Sequence, residues 1–150
     1  MIDGVEIKLL EVHTDARGSF TELIRKHDVF FNGFGQWSES MMYQGVIKAF
    51  HFHNIQYDYW WVSIGTIRAV LVDLRKDSVT VGQIDEYLMG EPQKPIILKI
   101  PPGVAHGLKV LQGPAILSYV TSHIYNPNDE GRIPYNDKQI GYDWLTEEIK

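Results

Sequence analysis

The sequence predicts an all-β protein, a sandwich or barrel of short strands. Turn signals rich in Gly, Pro, Asn and Asp recur at short intervals along the 150 residues. The runs between them are rich in Val, Ile, Tyr, Phe and Trp, which suit a pleated, half-buried surface. No window keeps the 3.6-residue periodicity of an amphipathic helix. The length suits one domain with one core, so we expect a single domain over residues 1–150.

Turn motifs separate the expected strands along the chain, because Gly and Pro favour backbone angles that interrupt a ladder. Short helical segments are expected at residues 26–31 and 143–149. In chain order, the expected strands are 20–25 after the turn ARGS, 36–43 after NGFG, 46–53 after YQG, 57–64 after a hairpin near Asn54–Tyr57, 66–74 after SIGT, 96–100 after GEPQKP, and 115–125 after QGP.

Composition excludes several classes of function. The net charge is −5 with no block of like charges, whereas a non-specific nucleic-acid binder needs a basic face. The apolar runs are too short to cross a bilayer, and the N-terminus lacks the apolar core of a secretory signal. The chain has no cysteine, which excludes disulfides and thiolate metal sites. We therefore expect a cytoplasmic protein with no nucleic-acid or membrane partner.

Two histidines and an aspartate interrupt the apolar stretch from Gly45 to Gly65. Side chains alternate along a strand, so His51 and His53 should point to one face, with Cα atoms about 6.5–7 Å apart, and Lys48 to the other. A hairpin after His53 would bring Asp58 towards the pair. A lone histidine is more often a hydrogen-bonded core residue. Several buried polar groups together need each other, water, a metal or a substrate as partners.

The spacing G-x5-H-x-H-x4-D-x6-G resembles the first motif of the cupin superfamily, and the P-x-G-x-x-H run that ends at His106 resembles the second. The resemblance implies a double-stranded β-helix, or jelly-roll barrel. It also implies a site for a divalent metal made by His51, His53, Asp58 and His106. Imidazole and carboxylate ligands suit Zn, Fe, Mn, Ni or Co.

A longer series of segments resembles one family, the dTDP-4-dehydrorhamnose 3,5-epimerases, from about Asp15 to Trp144. This resemblance implies a homodimer that needs no cofactor and acts on a 4-keto-6-deoxyhexose carried by a nucleoside diphosphate, for polysaccharide or other deoxysugar products. The segments are D-x-R-G-x-F-x-E (15–22), GVIKAFHFH (45–53), VDLRKDSVTVG (72–82), IPPGVAHGLKVL (100–111), YVTSHIY (119–125) and IGYDW (140–144).

The family resemblance also implies roles for single residues. His51 takes the place of the base that removes a proton beside the keto group, and its type suits that task because imidazole titrates near neutral pH. Tyr119 takes the place of the acid that returns a proton to the other ring face, and Tyr125 that of a second active-site tyrosine. The expected substrate-binding residues are Arg17, Phe20, Glu22, Gln36, Lys48, His106 and His123.

The sequence departs from the family at three points. Asp58 stands where the family has a lysine near the keto oxygen, and His53 stands where it has a glutamine. The aspartate that orients the family's base follows the IGYDW-like segment and has no counterpart before Lys150. The first two changes restore a metal-type motif, so a divalent cation could act as the Lewis acid.

The role of His51 depends on that cation. As a metal ligand, His51 would leave the base role to Tyr119, Tyr125 or His123. Without a metal, His51 remains the base and Asp58 becomes the group that could orient it.

Two other functions also fit the sequence. One is a metal-dependent cupin that works as a keto-isomerase or dioxygenase, and the other is a non-catalytic cupin that binds a sugar or nucleotide. The joint presence of Arg17, Lys48, Tyr119 and Tyr125 favours the epimerase, because a generic metal cupin needs none of them.

Overall fold

The fold is given by a computed structural model in which residues 1–146 are described. This part of the chain forms ten β-strands and no helix, which confirms the all-β prediction. The strands are β1 (Glu6–Leu9), β2 (Val12–Asp15), β3 (Gly18–Thr21), β4 (Gln36–Met42), β5 (Ile47–His53), β6 (Asp58–Asp73), β7 (Ile84–Gly90), β8 (Ile96–Ile100), β9 (Val104–Thr121) and β10 (Glu130–Arg132).

Eight strands form one antiparallel sheet in the order β1-β8-β6-β9-β5-β10, with β4 paired to β9 and β7 paired to β6. Strands β2 and β3 form a separate two-stranded hairpin. In the described part of the chain, no helix is long and apolar enough to cross a membrane.

The two longest strands, β6 and β9, pair with each other from Asp58 opposite Thr121 to Asp73 opposite Val104. Their register shifts around Gly65, which has a φ of 76°. A Cβ there would lie 2.6 Å from the carbonyl oxygens of Gln112 and Pro114. Glycine is therefore required where the two strands bend past each other. The bend divides the sheet into two halves: on one side of Gly65 the strand pair is flanked by β4 and β8, and on the other side by β5 and β7.

Two apolar clusters stabilise the sheet. The larger lies among β6, β8 and β9 and includes Ile67, Leu98 and Leu108. The smaller contains Phe50 and Trp144, whose ring centroids are 5.4 Å apart. The C-terminal segment is thus fixed against the outer face of β5.

The differences from the sequence prediction have local causes. Residues 57–64 and 66–74 form the single strand β6, because Gly65 bends the chain without reversing it. The expected helix at 26–31 is a pair of turns, and the described residues of 143–149 also form a turn; residues 147–149 lie outside the described part. The pattern missed the short β1 and β10, the polar β2, all of β7 and the first half of β9. The strand expected over 20–25 coincides with β3 only at residues 20 and 21.

Candidate functional site

A cavity of about 250 Å³ opens between the two halves of the sheet. Five strands and two loops contribute its walls, which combine ionisable groups with a few apolar side chains. The lining residues are Gln36, Ser40, Met42, Lys48, His51, His53, Gln56, Asp58, Trp60, His106, Leu108, Leu117, Tyr119, Thr121, Tyr125 and Glu130.

Strand β5 carries three of these side chains, Lys48, His51 and His53. Their placement depends on an irregularity of the strand that the sequence does not show. Its pairing with β9 shifts register between Lys48 and His51. Lys48 therefore lines the same cavity as His51 and His53, although strict alternation predicts the opposite face. Phe50, within the irregular stretch, turns instead into the smaller apolar cluster.

His51 is half-exposed, with 42% of its side chain accessible, and faces a carboxylate. Its Nδ1 lies 3.3 Å from Oε1 of Glu130. Partial burial lowers the pKa of His51 below the usual 6.5, while the charge of Glu130 acts in the opposite direction. The imidazole is consequently biased towards the neutral form, which is the form that can accept a proton.

A second cluster lies deeper in the cavity and contains His53, Asp58 and His106, whose ligand atoms are all within 4.8 Å of one another. Nε2 of His53 lies 3.9 Å from Asp58 Oδ1, and Nε2 of His106 lies 3.6 Å from Asp58 Oδ2. Strands β5 and β6 do not pair directly, so these contacts arise across the cavity rather than through the expected hairpin.

His51 lies outside this second cluster, although the sequence grouped it with these ligands. Its Nδ1 side instead faces Glu130.

Hydrogen bonds orient the second cluster. Asp58 accepts from Nε2 of Gln56 at 2.8 Å and from the indole of Trp60 at 3.4 Å. His106 Nδ1 lies 3.2 Å from the carbonyl oxygen of Val104, which can only accept, so Nδ1 carries the proton. Burial lowers the pKa of His106, which favours the neutral ring and leaves a lone pair on Nε2, facing Asp58.

The two tyrosines that line the cavity extend from a strand and from a loop. Tyr119 lies on β9, opposite Ser38 of β4 and Trp60 of β6. Strand β9 ends at Thr121, so Tyr125 extends from a loop and not from the strand expected over 115–125. Its backbone N–H donates to Oε1 of Gln36 at 2.9 Å, and its hydroxyl donates to Glu130 Oε2 at 3.3 Å.

Lys48 is the one Lys or Arg among the cavity-lining side chains of the described residues. Its Nζ donates to the Ser40 hydroxyl at 2.8 Å, which holds the ammonium against another residue of the cavity wall.

Four of the expected substrate-binding residues do not line this cavity. Arg17 and Phe20 line a shallow depression on the β2–β3 hairpin, and Glu22 follows that hairpin. Arg17 is 90% exposed and its guanidinium pairs with Asp15 at 2.6 Å. His123 is exposed, with Nδ1 2.8 Å from the Ser122 hydroxyl.

The sequence reasoning missed Glu130, because it lies in the segment NPNDEG, which has the composition of a turn. Its role depends on the pairing of β10 with β5, which is a long-range contact. The one local signal is the alternation in EGRI, which is too short to identify a strand. Gln56 and Trp60 were also missed, although each is two residues from Asp58, because both act through hydrogen bonds to its carboxylate.

Comparisons with known proteins converge on one family. The family profile described as dTDP-4-dehydrorhamnose 3,5-epimerase matches residues 1–150. The chain is 50% identical to the spore coat polysaccharide biosynthesis protein SpsL of Bacillus subtilis, over 98% of this chain and 99% of that protein. It is 34% identical to a dTDP-4-dehydrorhamnose 3,5-epimerase of Methanothermobacter thermautotrophicus, over 99% of this chain and 83% of that enzyme.

A solved structure extends the likeness to three dimensions. It is the Legionella pneumophila 3,5-epimerase RmlC in complex with dTDP-4-keto-L-rhamnose, which matches with a TM-score of 0.87 and 29% identity, over 99% of this chain and 83% of that chain. Structures of this type have a cupin-like jelly-roll fold, which confirms the fold that the motifs predicted.

Proposed function

The chain belongs to the dTDP-4-dehydrorhamnose 3,5-epimerase family of isomerases, and on that premise we propose that it inverts one or both carbons beside the keto group of a dTDP-4-keto-6-deoxyhexose. The observation that carries the proposal is the convergence of His51, Tyr119 and Tyr125 on one cavity. Family membership favours this activity over a dioxygenase or a binding protein.

The cavity supplies what proton transfer requires. His51 takes the proton from the carbon beside the carbonyl, and the C–H electron pair moves into an enolate. Tyr119 returns a proton to the opposite ring face, which inverts the centre. Gln36, Lys48 and the other polar side chains of the wall hold the ring between the two groups.

The cavity accommodates the sugar but not the whole substrate. Its volume of about 250 Å³ is below the ~300–1,000 Å³ of pockets for drug-sized ligands. The diphosphate and base must therefore extend beyond it. Arg17 and Phe20, which the family resemblance assigns to the nucleotide, are on the hairpin outside this cavity.

We place those residues in the cavity of a second copy, which makes the enzyme a homodimer. An isolated two-stranded hairpin is marginal in water and needs packing against something else. The β2–β3 hairpin is exposed along nearly its whole length, including the apolar Val12 and Phe20. Docking on a partner would cover this surface and supply a guanidinium for the diphosphate.

A divalent cation on His53, Asp58 and His106 is the second part of the proposal. The donor set fits, because two imidazoles and one carboxylate are common ligands of Zn, Fe, Mn, Ni and Co. The tautomer of His106 leaves Nε2 free, and its second nitrogen is held by a carbonyl as in most metal-bound histidines. Such a cation supplies Lewis acidity, and His51, outside the cluster, remains available as a base.

Two measurements test these proposals. Incubation with dTDP-4-keto-6-deoxyhexoses in D2O should place deuterium at C3 or C5; no label with any of several sugar nucleotides, under metal-replete conditions, refutes the epimerase. Elemental analysis of untagged protein should give about one equivalent of metal per chain, reduced in Asp58→Asn. Less than about a tenth of an equivalent in a fully active preparation rejects the cation.

The proposed substrate also sets the cellular context. An enzyme that uses sugar nucleotides is expected in the cytoplasm, where nucleotides are activated. The name of the Bacillus subtilis relative suggests that the product enters a surface polysaccharide.

A further inference from the structure

Glu130 is the carboxylate nearest to the proposed base. Its Oε1 lies 3.3 Å from His51 Nδ1, and only 11% of its side chain is exposed. Its other oxygen, Oε2, accepts from the Tyr125 hydroxyl at 3.3 Å and lies 3.4 Å from the Arg132 guanidinium. One largely buried carboxylate thus contacts both His51 and Tyr125.

Backbone pairing determines this arrangement. Strand β10 pairs with β5 so that Glu130 is opposite His53 and Arg132 is opposite His51. Glu130 is therefore on the cavity face and diagonal to His51, within reach of a long side chain. Gly131 makes the close pairing feasible, because a Cβ there would lie 2.1 Å from the Phe52 ring.

Hydrogen bonds to Asp129 fix the start of β10. The buried Asp129 accepts hydrogen bonds from the backbone N–H groups of Asn54 and Ile55, at 2.9 and 3.1 Å. These bonds join β10 to the loop that follows β5. The position of Glu130 is thus fixed at both the strand and the loop.

We propose that Glu130 is the positioning residue of the base: it holds His51 with the proton on Nδ1, so that Nε2 is free to take the substrate proton. This inference rests on the proposed function and names a group that the sequence left open. Asp58, the candidate from sequence, contacts His53 and His106 instead.

The proton balance of the step is simple. The substrate C–H proton moves to His51 Nε2, and its electron pair enters the enolate. The imidazolium that forms keeps its Nδ1 proton, directed at the Glu130 carboxylate, which stabilises the new positive charge without taking a proton. The Tyr119 proton then goes to the opposite face of the ring.

Glu130→Gln tests the assignment, since the amide keeps the shape but not the charge. We expect kcat to fall about a hundredfold, as for a base that is misplaced, with KM within about twofold of the native value. Glu130→Asp should recover part of kcat. Glu91→Gln is the matched control: it makes the same exchange at an exposed turn residue outside the cavity, and its kcat should stay within about twofold of the native value.

A double variant separates an effect through His51 from a general one. If Glu130 acts through the base, His51→Asn with Glu130→Gln should be no slower than His51→Asn alone. A further loss of tenfold or more in the double variant overturns the inference. So does a Glu130→Gln enzyme with native kcat.

Nitrogen-15 NMR of the His51 ring gives a result that does not depend on activity. The native neutral ring should be protonated on Nδ1, and Glu130→Gln should shift the population towards Nε2–H. A native ring that is mainly Nε2–H overturns the inference even if the enzyme is an epimerase. If no sugar nucleotide exchanges label, the proposed function fails. In that case the tautomer of the His51 ring still tests whether Glu130 positions it.

Discussion

If the β2–β3 hairpin contributes to the cavity of a partner, two impaired variants should recover activity when they are mixed. Arg17→Gln removes the guanidinium from the hairpin, and His51→Asn removes the base from the cavity. Arg17 is 90% exposed and pairs with Asp15 on its own hairpin, so its replacement should leave folding unchanged. Each variant alone is expected to be defective, for different reasons.

The sizes of both defects can be estimated. A charge-assisted hydrogen bond contributes about 1.5–3 kcal/mol, so Arg17→Gln should raise KM about tenfold to 150-fold. Loss of a general base should lower kcat about 10²- to 10⁴-fold. Equal amounts that reassort at random give about half mixed dimers, each with one cavity that combines a native His51 with a native Arg17. About a quarter of all cavities should then be intact.

The assay is deuterium incorporation at substrate concentrations well below the KM of Arg17→Gln, after co-refolding, with mixed dimers counted by native mass spectrometry. His51→Asn mixed with Tyr119→Phe is the control, because both residues line the cavity of their own chain and mixing should restore nothing. Mixed dimers with no recovered activity would show that the hairpin does not act on a partner. A protein that sediments only as a monomer would refute the arrangement outright.

Other predictions concern single side chains. Lys48→Met should raise KM at least about tenfold with a smaller effect on kcat, because the Lys48 ammonium supplies the positive charge of the cavity wall. An unchanged KM contradicts its role in binding. Phe50→Ala should lower the free energy of unfolding by about 3–5 kcal/mol in urea titration, since Phe50 is fully buried against Trp144; a loss below about 1 kcal/mol contradicts that packing. Asp73→Asn should cost about 3 kcal/mol at pH 7, because its carboxylate is fully buried and paired with Arg75. Burial alone would raise the pKa of Asp73, but hydrogen bonds from Arg75 and its neighbours hold it well below its usual value. The stability from Asp73 should therefore be complete above about pH 5 and decline as the pH falls below about 3.9, and the same acid loss in Asp73→Asn would contradict this origin.

Local spacing predicted which histidines lie together but not how each of them is placed. The H-x-H pair and the P-x-G-x-x-H run correctly indicated that His51, His53 and His106 share one cavity. Alternation failed for Lys48, because the register of β5 shifts between Lys48 and His51. A bulge of this kind depends on the partner strand, and the sequence of β5 alone does not contain that information.

Long-range pairing explains the other differences. Glu130 reaches His51 only because β10 joins β5 from 77 residues further along the chain, as in the register of Glu130 with His53. The continuous β6 was divided in the prediction because Gly65 has the composition of a turn, whereas its role is a close approach to Gln112 and Pro114. In both cases the local composition indicated a turn, whereas pairing with a strand distant in sequence determined the structure.

The charges of the cavity connect the proposed dimer with the proposed metal cation. Asp58 and Glu130 bring two carboxyl groups to the wall, and Lys48 brings one cation. Proton transfer to His51 changes no net charge, because the enolate and the imidazolium form together. A diphosphate adds further negative charge, so the complex needs more positive charge than one chain's cavity supplies. Arg17 from a partner would balance the phosphates, and a cation beside Asp58 would balance the enolate, which is where the family instead places a lysine. If the cation is absent, the stabilising charge must come from the imidazolium of His51, and activity should then depend still more strongly on Glu130.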